Sequence, residues 1–155
     1  MEIRIRKAGV DSLHQLLDWR REVIAAVFGE VPADELECIM EANREYYLCE
    51  IPRGGHIPYF AYADELQVGC CAICLHSEMP SPENPTGRCA YLMNIFVLPE
   101  WRCRGVARRM VERMVADALA MGISKIYLET TDAARSLYSE EGFTPMQGMM
   151  QYAGK

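Results

Sequence analysis

Arginine side chains are concentrated in one short stretch of an otherwise acidic chain. Five of them fall within twelve residues, whereas the formal net charge of the chain is −6. They are Arg102, Arg104, Arg108, Arg109 and Arg113. Guanidinium groups bind carboxylates and phosphates through paired, charge-assisted hydrogen bonds. The stretch therefore indicates an anion-binding site, although a solvated, arginine-rich helix face would have the same composition.

The arginine-rich stretch lies where a predicted strand meets a predicted helix. An apolar run over residues 90–98 stops at Pro99, which cannot donate a hydrogen bond to a sheet ladder. Over residues 106–121, apolar side chains recur at three- and four-residue spacings, as they do along one side of a helix. The first N–H groups of a helix are unpaired and lie at the positive end of its dipole. An anion is therefore expected at this helix N-terminus.

Small residues at the start of this helix would let a phosphate group reach the backbone N–H groups of residues 104–108. Gly105 has no side chain, and Ala107 carries only a methyl group. The two common phosphate-loop patterns, G-x-x-x-x-G-K-[ST] and G-x-G-x-x-G, are absent here. The pattern present instead is V-x-P-x-x-R-x-x-G-x-A, which runs from Val97 to Ala107.

This pattern resembles the acetyl-CoA-binding segment of the GNAT N-acetyltransferase superfamily, [QR]-x-x-G-x-[GA]. Arg102, Gly105 and Ala107 occupy its three defined positions. A second segment, residues 134–143, is similar to the A-x-x-L-Y-x-x-x-G-F segment of the same family. The two segments follow each other in the family's order, with a helix and a strand between them. The chain is therefore identified as a member of the family through its C-terminal part, because the N-terminal half carries no comparable motif.

The resemblance implies acetyl-CoA as co-substrate and assigns residues to it. The diphosphate would lie on the N–H groups of residues 104–108, and the pantetheine arm would pair with the backbone of residues 95–97 as an added strand. The expected co-substrate contacts are Ile95, Phe96, Val97, Arg102, Arg104, Gly105, Val106, Ala107 and Arg108.

No metal is expected. Cys71 and Cys74 are spaced like metal or redox ligands, but they lie on a predicted strand, where residues three apart point to opposite faces.

The resemblance also implies catalytic residues. Tyr138 aligns with the tyrosine that commonly acts as general acid in GNAT enzymes. Its hydroxyl, with a reference pKa of about 10, is protonated at neutral pH and able to donate to a leaving thiolate. Many family members place a glutamate, as general base, on the fourth strand, where this chain has Tyr91 instead. Glu129 on the next strand is the first candidate for the base, and Asp132 or a water molecule are the alternatives.

The predicted function is an N-acetyltransferase that moves the acetyl group of acetyl-CoA directly to a primary amine in a ternary complex. The acceptor would be a small molecule or a peptide, and the sequence does not identify it. Two alternatives remain open. One is a non-catalytic module that binds CoA or acyl-CoA, since the strand glutamate is missing. The other is an acyltransferase that uses a longer acyl donor.

Composition places further bounds on these predictions. At 155 residues, the chain is expected to form one GNAT-like domain over residues 1–155. The acidic balance argues against nucleic-acid binding, and no apolar run approaches the ~20 residues needed to span a bilayer. A cytoplasmic location is expected, because the N-terminus lacks an apolar signal core. The odd number of cysteines, seven, favours free thiols, and a homodimer is left open.

The predicted element order is β-α-α-β-β-β-α-β-α-β, which is a mixed α/β fold. Strands are predicted over residues 2–7, 59–63, 66–75, 90–98, 123–130 and 146–152, and helices over residues 11–27, 33–48, 106–121 and 133–141. A turn is predicted at residues 52–55. The family resemblance implies a mixed, mostly antiparallel central sheet flanked by helices, with its two central strands splayed at the cofactor site.

Overall fold

A single five-stranded sheet forms the centre of the molecule in the computed structural model, which describes residues 1–154. The strands are β1 (Ile3–Lys7), β2 (His56–Ala63), β3 (Leu66–Ser77), β4 (Arg88–Val97) and β5 (Lys125–Leu128). They lie in the order β1-β2-β3-β4-β5, and each of the first four is antiparallel to its neighbour. Only β5 pairs in parallel, with β4. The predicted mixed, mostly antiparallel sheet is confirmed.

Four helices connect and cover the strands. They are α1 (Leu13–Phe28), α2 (Ala33–Arg53), α3 (Val106–Ala120) and α4 (Arg135–Glu140). The first two lie between β1 and β2 in the chain, and α4 follows β5. Parallel strands cannot be joined by a tight hairpin, and α3 supplies the long crossover between β4 and β5. No helix within residues 1–154 combines the length and apolarity needed to cross a membrane.

The two faces of the sheet are covered by different helices. Successive residues of a strand point to opposite faces, so Tyr59 and Phe60 of β2 enter different cores. Tyr59 is fully buried in the core beneath α3, together with Met110 and Met114 of that helix. Phe60 is buried in the core beneath α1 and α2, with Leu16 of α1 among its neighbours. The sheet is therefore a layer enclosed on both sides.

Strand β4 and the edge strand β5 separate halfway along β4. Their ladder pairs Cys89–Leu92 with Lys125–Leu128 and ends there, although β4 continues to Val97. The pairing of β4 with β3 is also interrupted: Met93 lies opposite Ala72 and Phe96 lies opposite Cys70, so β4 has one extra residue at this point. This bulge contains Asn94, whose φ of 56° is in the left-handed region. The predicted splaying of two strands is therefore present, but it does not involve the two central strands, because β5 lies at the edge of the described sheet.

One predicted element is wrong. The final strand predicted over residues 146–152 does not form, and α4 is the last regular element of the described chain. Gly148 has a φ of 81°, which is incompatible with an extended strand conformation. The predicted sheet therefore loses its sixth strand.

The predicted turn at residues 52–55 begins later than expected. Helix α2 continues through Pro52 to Arg53 and ends at Gly54, which adopts the left-handed conformation at the helix C-cap. The Gly54 N–H donates to carbonyls of the last turn, so this glycine, and not Pro52, stops the helix. Strand β5 is shorter than predicted, because only Lys125–Leu128 find a partner on β4.

Candidate active site

A cavity of about 540 Å³ lies between the end of β4, the start of α3 and α4. Its walls bring together the two segments that carry the family resemblance. The lining includes Ile95, Phe96, Val97, Arg102, Gly105, Val106, Ala107, Arg108 and Tyr138. These are all the predicted co-substrate residues except Arg104, together with the predicted general acid. The structure thus gathers residues that are more than thirty positions apart in the sequence into one site.

The N-terminus of α3 forms one end of this cavity and is free to bind an anion. Gly105 is the N-cap residue of α3, with a φ of 80°, and no side chain caps the helix. The first intrahelical bond is donated by the Arg109 N–H to the Gly105 carbonyl, 3.1 Å away. The N–H groups of residues 106–108 precede that bond, so they lie at the positive end of the dipole with no intrahelical acceptor.

Glycine is needed at position 105 because of its backbone conformation. A Cβ atom built there would meet nothing within 4 Å, so space alone does not exclude a side chain. The left-handed φ is what disfavours most other residues. The open space next to Gly105 is what a phosphate group needs in order to approach the helix N-terminus.

The arginine side chains of this stretch make contacts within the protein. The Arg102 Nε donates to the Val97 carbonyl oxygen at 3.2 Å, and the Arg104 guanidinium lies 5.0 Å from the centre of the Trp101 ring. The Arg108 guanidinium pairs with Glu141 at 2.9 Å and also with Glu140. These contacts fix the shape of the loop and of the helix start. At the helix start, the groups without an intrahelical partner are the backbone N–H groups of residues 106–108.

The end of β4 has an unpaired edge that faces the cavity. The Leu98 N–H donates to the Val68 carbonyl of the neighbouring chain segment at 3.0 Å. Residues of an antiparallel strand alternate in the side to which their backbone groups point, so Val97 directs its N–H and C=O away from β3. Since β5 has already separated from β4, no strand pairs with this side of Val97. An extended ligand can therefore add to β4 there.

Tyr138 lies at the junction of two cavities. It lines the cavity described above and also a neighbouring one of about 700 Å³, which is bounded by β5 and by residues 141–146. Its side chain is largely buried, at 8% exposure, and packs edge-to-face on Phe143 with ring centroids 6.0 Å apart. Burial, with a smaller contribution from Cys71, raises the pKa of the Tyr138 hydroxyl above its usual value. The hydroxyl is therefore protonated at neutral pH.

The predicted base Glu129 lines the larger cavity together with Tyr138. It follows β5 directly, at the point where β4 and β5 have separated. The alternative, Asp132, does not line either cavity: its side chain is 99% exposed and pairs with Arg135 at 3.3 Å. Of the two carboxylates predicted from the sequence, only Glu129 shares a cavity with Tyr138.

A row of polar and aromatic side chains crosses four strands. The sequence alone did not predict this row. His56, Cys74, Tyr91 and Tyr127 lie directly opposite one another in β2, β3, β4 and β5. The rings of Tyr91 and Tyr127 are 5.1 Å apart, and the Tyr127 hydroxyl lies 2.6 Å from His76 Nε2.

Tyr91 thus occupies this row at the position where many family members carry a glutamate. Burial, and then the nearby Glu129 carboxylate, raise the pKa of Tyr91. The alternation of residues along each strand predicts which of them share a face, but the register between strands, which aligns them, requires the structure.

Among the residues that the structure describes, no cluster of three or more His, Cys, Asp or Glu side chains is arranged to hold a metal ion. The cysteines within residues 1–154 are free thiols, and Cys70 and Cys71 are buried on opposite faces of β3.

The sequence model of the Acetyltransferase (GNAT) family matches residues 13–143. This chain therefore belongs to the GNAT acetyltransferase family. The match includes both helices of the N-terminal half, which carried no motif of their own, and it ends at Phe143, the last residue of the second motif.

Similar proteins support the same classification. An amino-acid acetyltransferase from Enterobacter sp. (strain 638) is 27% identical over 145 residues, which are 92% of this chain but only 27% of that protein's length. A predicted acetyltransferase from Clostridium acetobutylicum, crystallised with acetyl-CoA, has a similar structure with a TM-score of 0.86 and 23% identity, covering 97% of this chain and 96% of that one.

An aminoglycoside N-acetyltransferase in complex with a bisubstrate analogue, CoA-S-monomethyl-acetylneamine, also has a similar structure. Its TM-score is 0.75 at 18% identity, and the alignment covers 100% of this chain and 99% of that one. At these identities, the two solved structures establish that the fold is shared.

Proposed function

We propose that this protein is an N-acetyltransferase that moves the acetyl group of acetyl-CoA to a primary amine by direct transfer in a ternary complex. The observation that carries this proposal is the cavity between β4, α3 and α4. It combines an uncapped helix N-terminus, a strand edge that no other strand pairs with and a largely buried tyrosine. Membership of the acetyltransferase family and the acetyl-CoA complex of the Clostridium protein support it.

Donor binding would use backbone groups at both ends of the cavity. The N–H groups at the start of α3 would bind the diphosphate, and the Val97 N–H would pair with the pantetheine arm as the next strand beside β4. Such contacts hold the thioester in one orientation, which converts an encounter between two molecules into a reaction within one complex. When bound, acetyl-CoA supplies an activated acetyl group and a thiolate leaving group.

The proposed chemistry needs one proton donor and one proton acceptor. The nitrogen of the neutral amine forms a bond to the thioester carbonyl carbon, and the carbon–sulfur bond breaks. Tyr138 donates its hydroxyl proton to the departing sulfur, and its raised pKa favours the protonated form that this role requires. Glu129 accepts the proton that the amine nitrogen must lose, either directly or through a water molecule. The two residues line one cavity, which fits a short path between them.

The acceptor is proposed to be a small-molecule or peptide amine. The structurally similar aminoglycoside enzyme, whose bisubstrate complex joins CoA to an acetylated aminoglycoside, supports a small-molecule amine. Tyr138 favours the enzyme, whereas the missing strand glutamate leaves room for the alternative of a binding module without turnover; a direct assay separates the two.

The test is the release of free CoA from acetyl-CoA in the presence of a panel of amines. The panel should contain a polyamine, an aminoglycoside, an amino acid and a peptide with a free N-terminus. The proposal expects amine-dependent release with at least one class, and no release without amine. Acetyl-CoA binding without release for any amine would favour the binding module. Faster release from a longer acyl-CoA would assign a different donor.

A further inference from the structure

One arginine joins both N-terminal helices to the bulge of β4. The Arg20 side chain, on α1, donates from Nε to the Asn43 Oδ1 of α2 at 3.0 Å and from Nη1 to the Asn94 Oδ1 at 3.0 Å. Asn43 is itself held by a hydrogen bond from its Nδ2 to the Ile39 carbonyl, 2.8 Å away. Both partners are neutral amides, and no carboxylate of residues 1–154 lies within ion-pair distance of Arg20. The partly buried Arg20 guanidinium therefore holds α1, α2 and the bulge of β4 in fixed positions relative to one another.

The residue that Arg20 holds has an uncommon backbone conformation. Asn94 has a φ of 56°, in a region that asparagine occupies more readily than most residues but still at some cost. The backbone carbonyl oxygen of Asn94 accepts a hydrogen bond from the Cys70 Sγ at 3.6 Å. Asparagine at this position tolerates the left-handed φ, and its side chain accepts from Arg20 and donates from Nδ2 to the Cys70 Sγ at 3.8 Å. Glycine would satisfy only the first of these.

The position of the bulge decides which groups face the proposed donor site. One extra residue in a strand reverses the alternation of all the residues that follow it. After Asn94, Phe96 points to the α1 and α2 side, where it packs edge-to-face on Trp19 with centroids 6.2 Å apart. Val97 is thereby placed with its side chain beneath α3 and its N–H and C=O at the open edge of β4. Loss of the bulge would reverse this arrangement, because Val97 would then shift by one residue relative to β3.

We propose that Arg20 is a positioning residue for acyl transfer. Its hydrogen bond to Asn94 stabilises the bulge of β4 and so keeps the backbone of residues 95–97 directed at the acyl donor. This inference rests on the proposed function for the identity of the acyl donor. Its structural part, that Arg20 stabilises the bulge of β4 through Asn94, does not depend on which donor binds. Arg20 does not line the donor cavity and touches no reacting atom.

The structural part is tested by amide hydrogen exchange in the ligand-free protein. The Leu98 N–H, which donates to the Val68 carbonyl, lies after the bulge and reports its register. The Ala8 N–H, which donates to the Pro58 carbonyl at 2.9 Å, lies at the far side of the sheet and serves as control. In Arg20→Gln, the Leu98 amide should exchange about tenfold faster, the effect of losing one hydrogen bond to a charged group, and Ala8 should not change.

The matched control variant is Arg21→Gln. Arg21 is the next residue of α1, and it also joins α1 to α2, through an exposed pair with Glu37 at 2.9 Å, but it does not reach β4. This variant should leave Leu98 exchange, acetyl-CoA affinity and kcat at their wild-type values. Arg20→Lys should resemble Arg20→Gln, because a single ammonium group does not reproduce the two-pronged contact with Asn43 and Asn94.

The functional part is tested by acetyl-CoA affinity and by kinetics. Arg20→Gln and Asn94→Gly should each weaken acetyl-CoA binding about tenfold and lower kcat, with the KM for the amine little changed. The double variant should be less impaired than the product of the two single effects predicts, because both substitutions remove the hydrogen bond between Arg20 and Asn94. Multiplicative effects of the two substitutions would overturn the proposal. A lower melting temperature of Arg20→Gln, with unchanged acetyl-CoA affinity, kcat and Leu98 exchange, would also overturn the proposal.

A wild-type protein that fails to bind acetyl-CoA would instead contradict the proposed function. The exchange of the Leu98 amide would then still decide whether Arg20 fixes the bulge.

Discussion

The Arg108 guanidinium, in the first turn of α3, contacts the Glu141 carboxylate at 2.9 Å, directly after α4. The same guanidinium also pairs with Glu140, the last residue of α4. The Glu141 N–H donates to the Tyr138 carbonyl at 3.1 Å, so the ion pair lies one turn from the proposed general acid. The helix that would bind the diphosphate is thereby joined to the helix that would supply the proton. Arg108 contributes its side chain to this link and its N–H to the anion site.

Breaking this link should affect turnover more than stability. Exposed ion pairs contribute about 1 kcal/mol or less to the free energy of unfolding, and the Arg108 side chain is 45% exposed. We expect Glu141→Gln to lower kcat about tenfold through a misplaced Tyr138, with a melting temperature close to that of the wild type. Glu112→Gln, an exposed substitution on α3, is the control and should change neither quantity. An unchanged kcat in Glu141→Gln and also in the double variant Glu140→Gln/Glu141→Gln, which removes both partners of Arg108, would show that these pairs do not position α4.

The hydroxyl of Tyr138 should be needed for turnover and not for donor binding. Tyr138→Phe keeps the buried ring and its contact with Phe143, and should lower kcat by roughly 10²–10⁴-fold, the usual range for general acid catalysis. Acetyl-CoA affinity, measured by calorimetry, should hardly change. A structural role predicts instead that phenylalanine is nearly silent in both quantities, since the ring accounts for most of the buried area.

The pH profile gives a second measurement on the same residue. Burial raises the pKa of Tyr138, so the protonated form persists above the ordinary tyrosine value of about 10. The kcat of the wild type should therefore show no loss from Tyr138 ionisation between neutral pH and about pH 10. A falling limb near neutral pH that disappears in Tyr138→Phe would contradict this assignment.

Substitutions of Gly105 separate backbone strain from blockage of the anion site. Gly105→Asn supplies a residue that tolerates a left-handed φ, and no atom lies within 4 Å of the new Cβ, so folding and acetyl-CoA binding should be largely retained. Gly105→Glu places a carboxylate beside the proposed diphosphate position and should abolish the rise in melting temperature caused by acetyl-CoA. Wild-type affinity in Gly105→Glu would place the diphosphate elsewhere.

His56 should make the protein less stable as the pH falls. Burial, followed by the positive charge of Arg20, lowers the pKa of His56 to about 4 in the folded protein. The unfolded chain, with a pKa of about 6.5, then binds a proton that the folded protein does not bind between about pH 6.5 and pH 4. Stability is therefore complete above about pH 6.5 and declines below it, by up to about 3 kcal/mol from this group.

Urea unfolding at pH 5 and pH 7 measures this effect. His56→Gln should reduce the difference in unfolding free energy between the two pH values. His14→Gln provides the control, because the His14 side chain is 91% exposed. If the unfolding free energy depends on pH equally in His56→Gln and in the wild type, His56 does not contribute to the loss of stability at low pH.

The local chemistry of the proposed donor site was predictable from the sequence. A proline that ends a strand, a glycine at a helix start and an apolar period of three and four residues are local properties, and they correctly predicted where β4 ends and α3 begins. The prediction for residues 146–152 was wrong, because a weak apolar pattern does not make a strand when Gly148 interrupts it and no partner strand receives it. A strand needs pairing as well as composition.

The arrangement of the site was decided by tertiary contacts. The sequence contains Tyr91, Tyr127 and Glu129 without showing that they lie together, because the register between strands is set by packing and by bulges. It likewise contains Arg20 and Asn94 without showing that they meet, 74 positions apart in the chain. Residue types and their spacing thus determined the backbone anion site, which needs only a helix start and a glycine. The tertiary structure alone decided which distant side chains surround it, because those contacts depend on where β4 separates from β5.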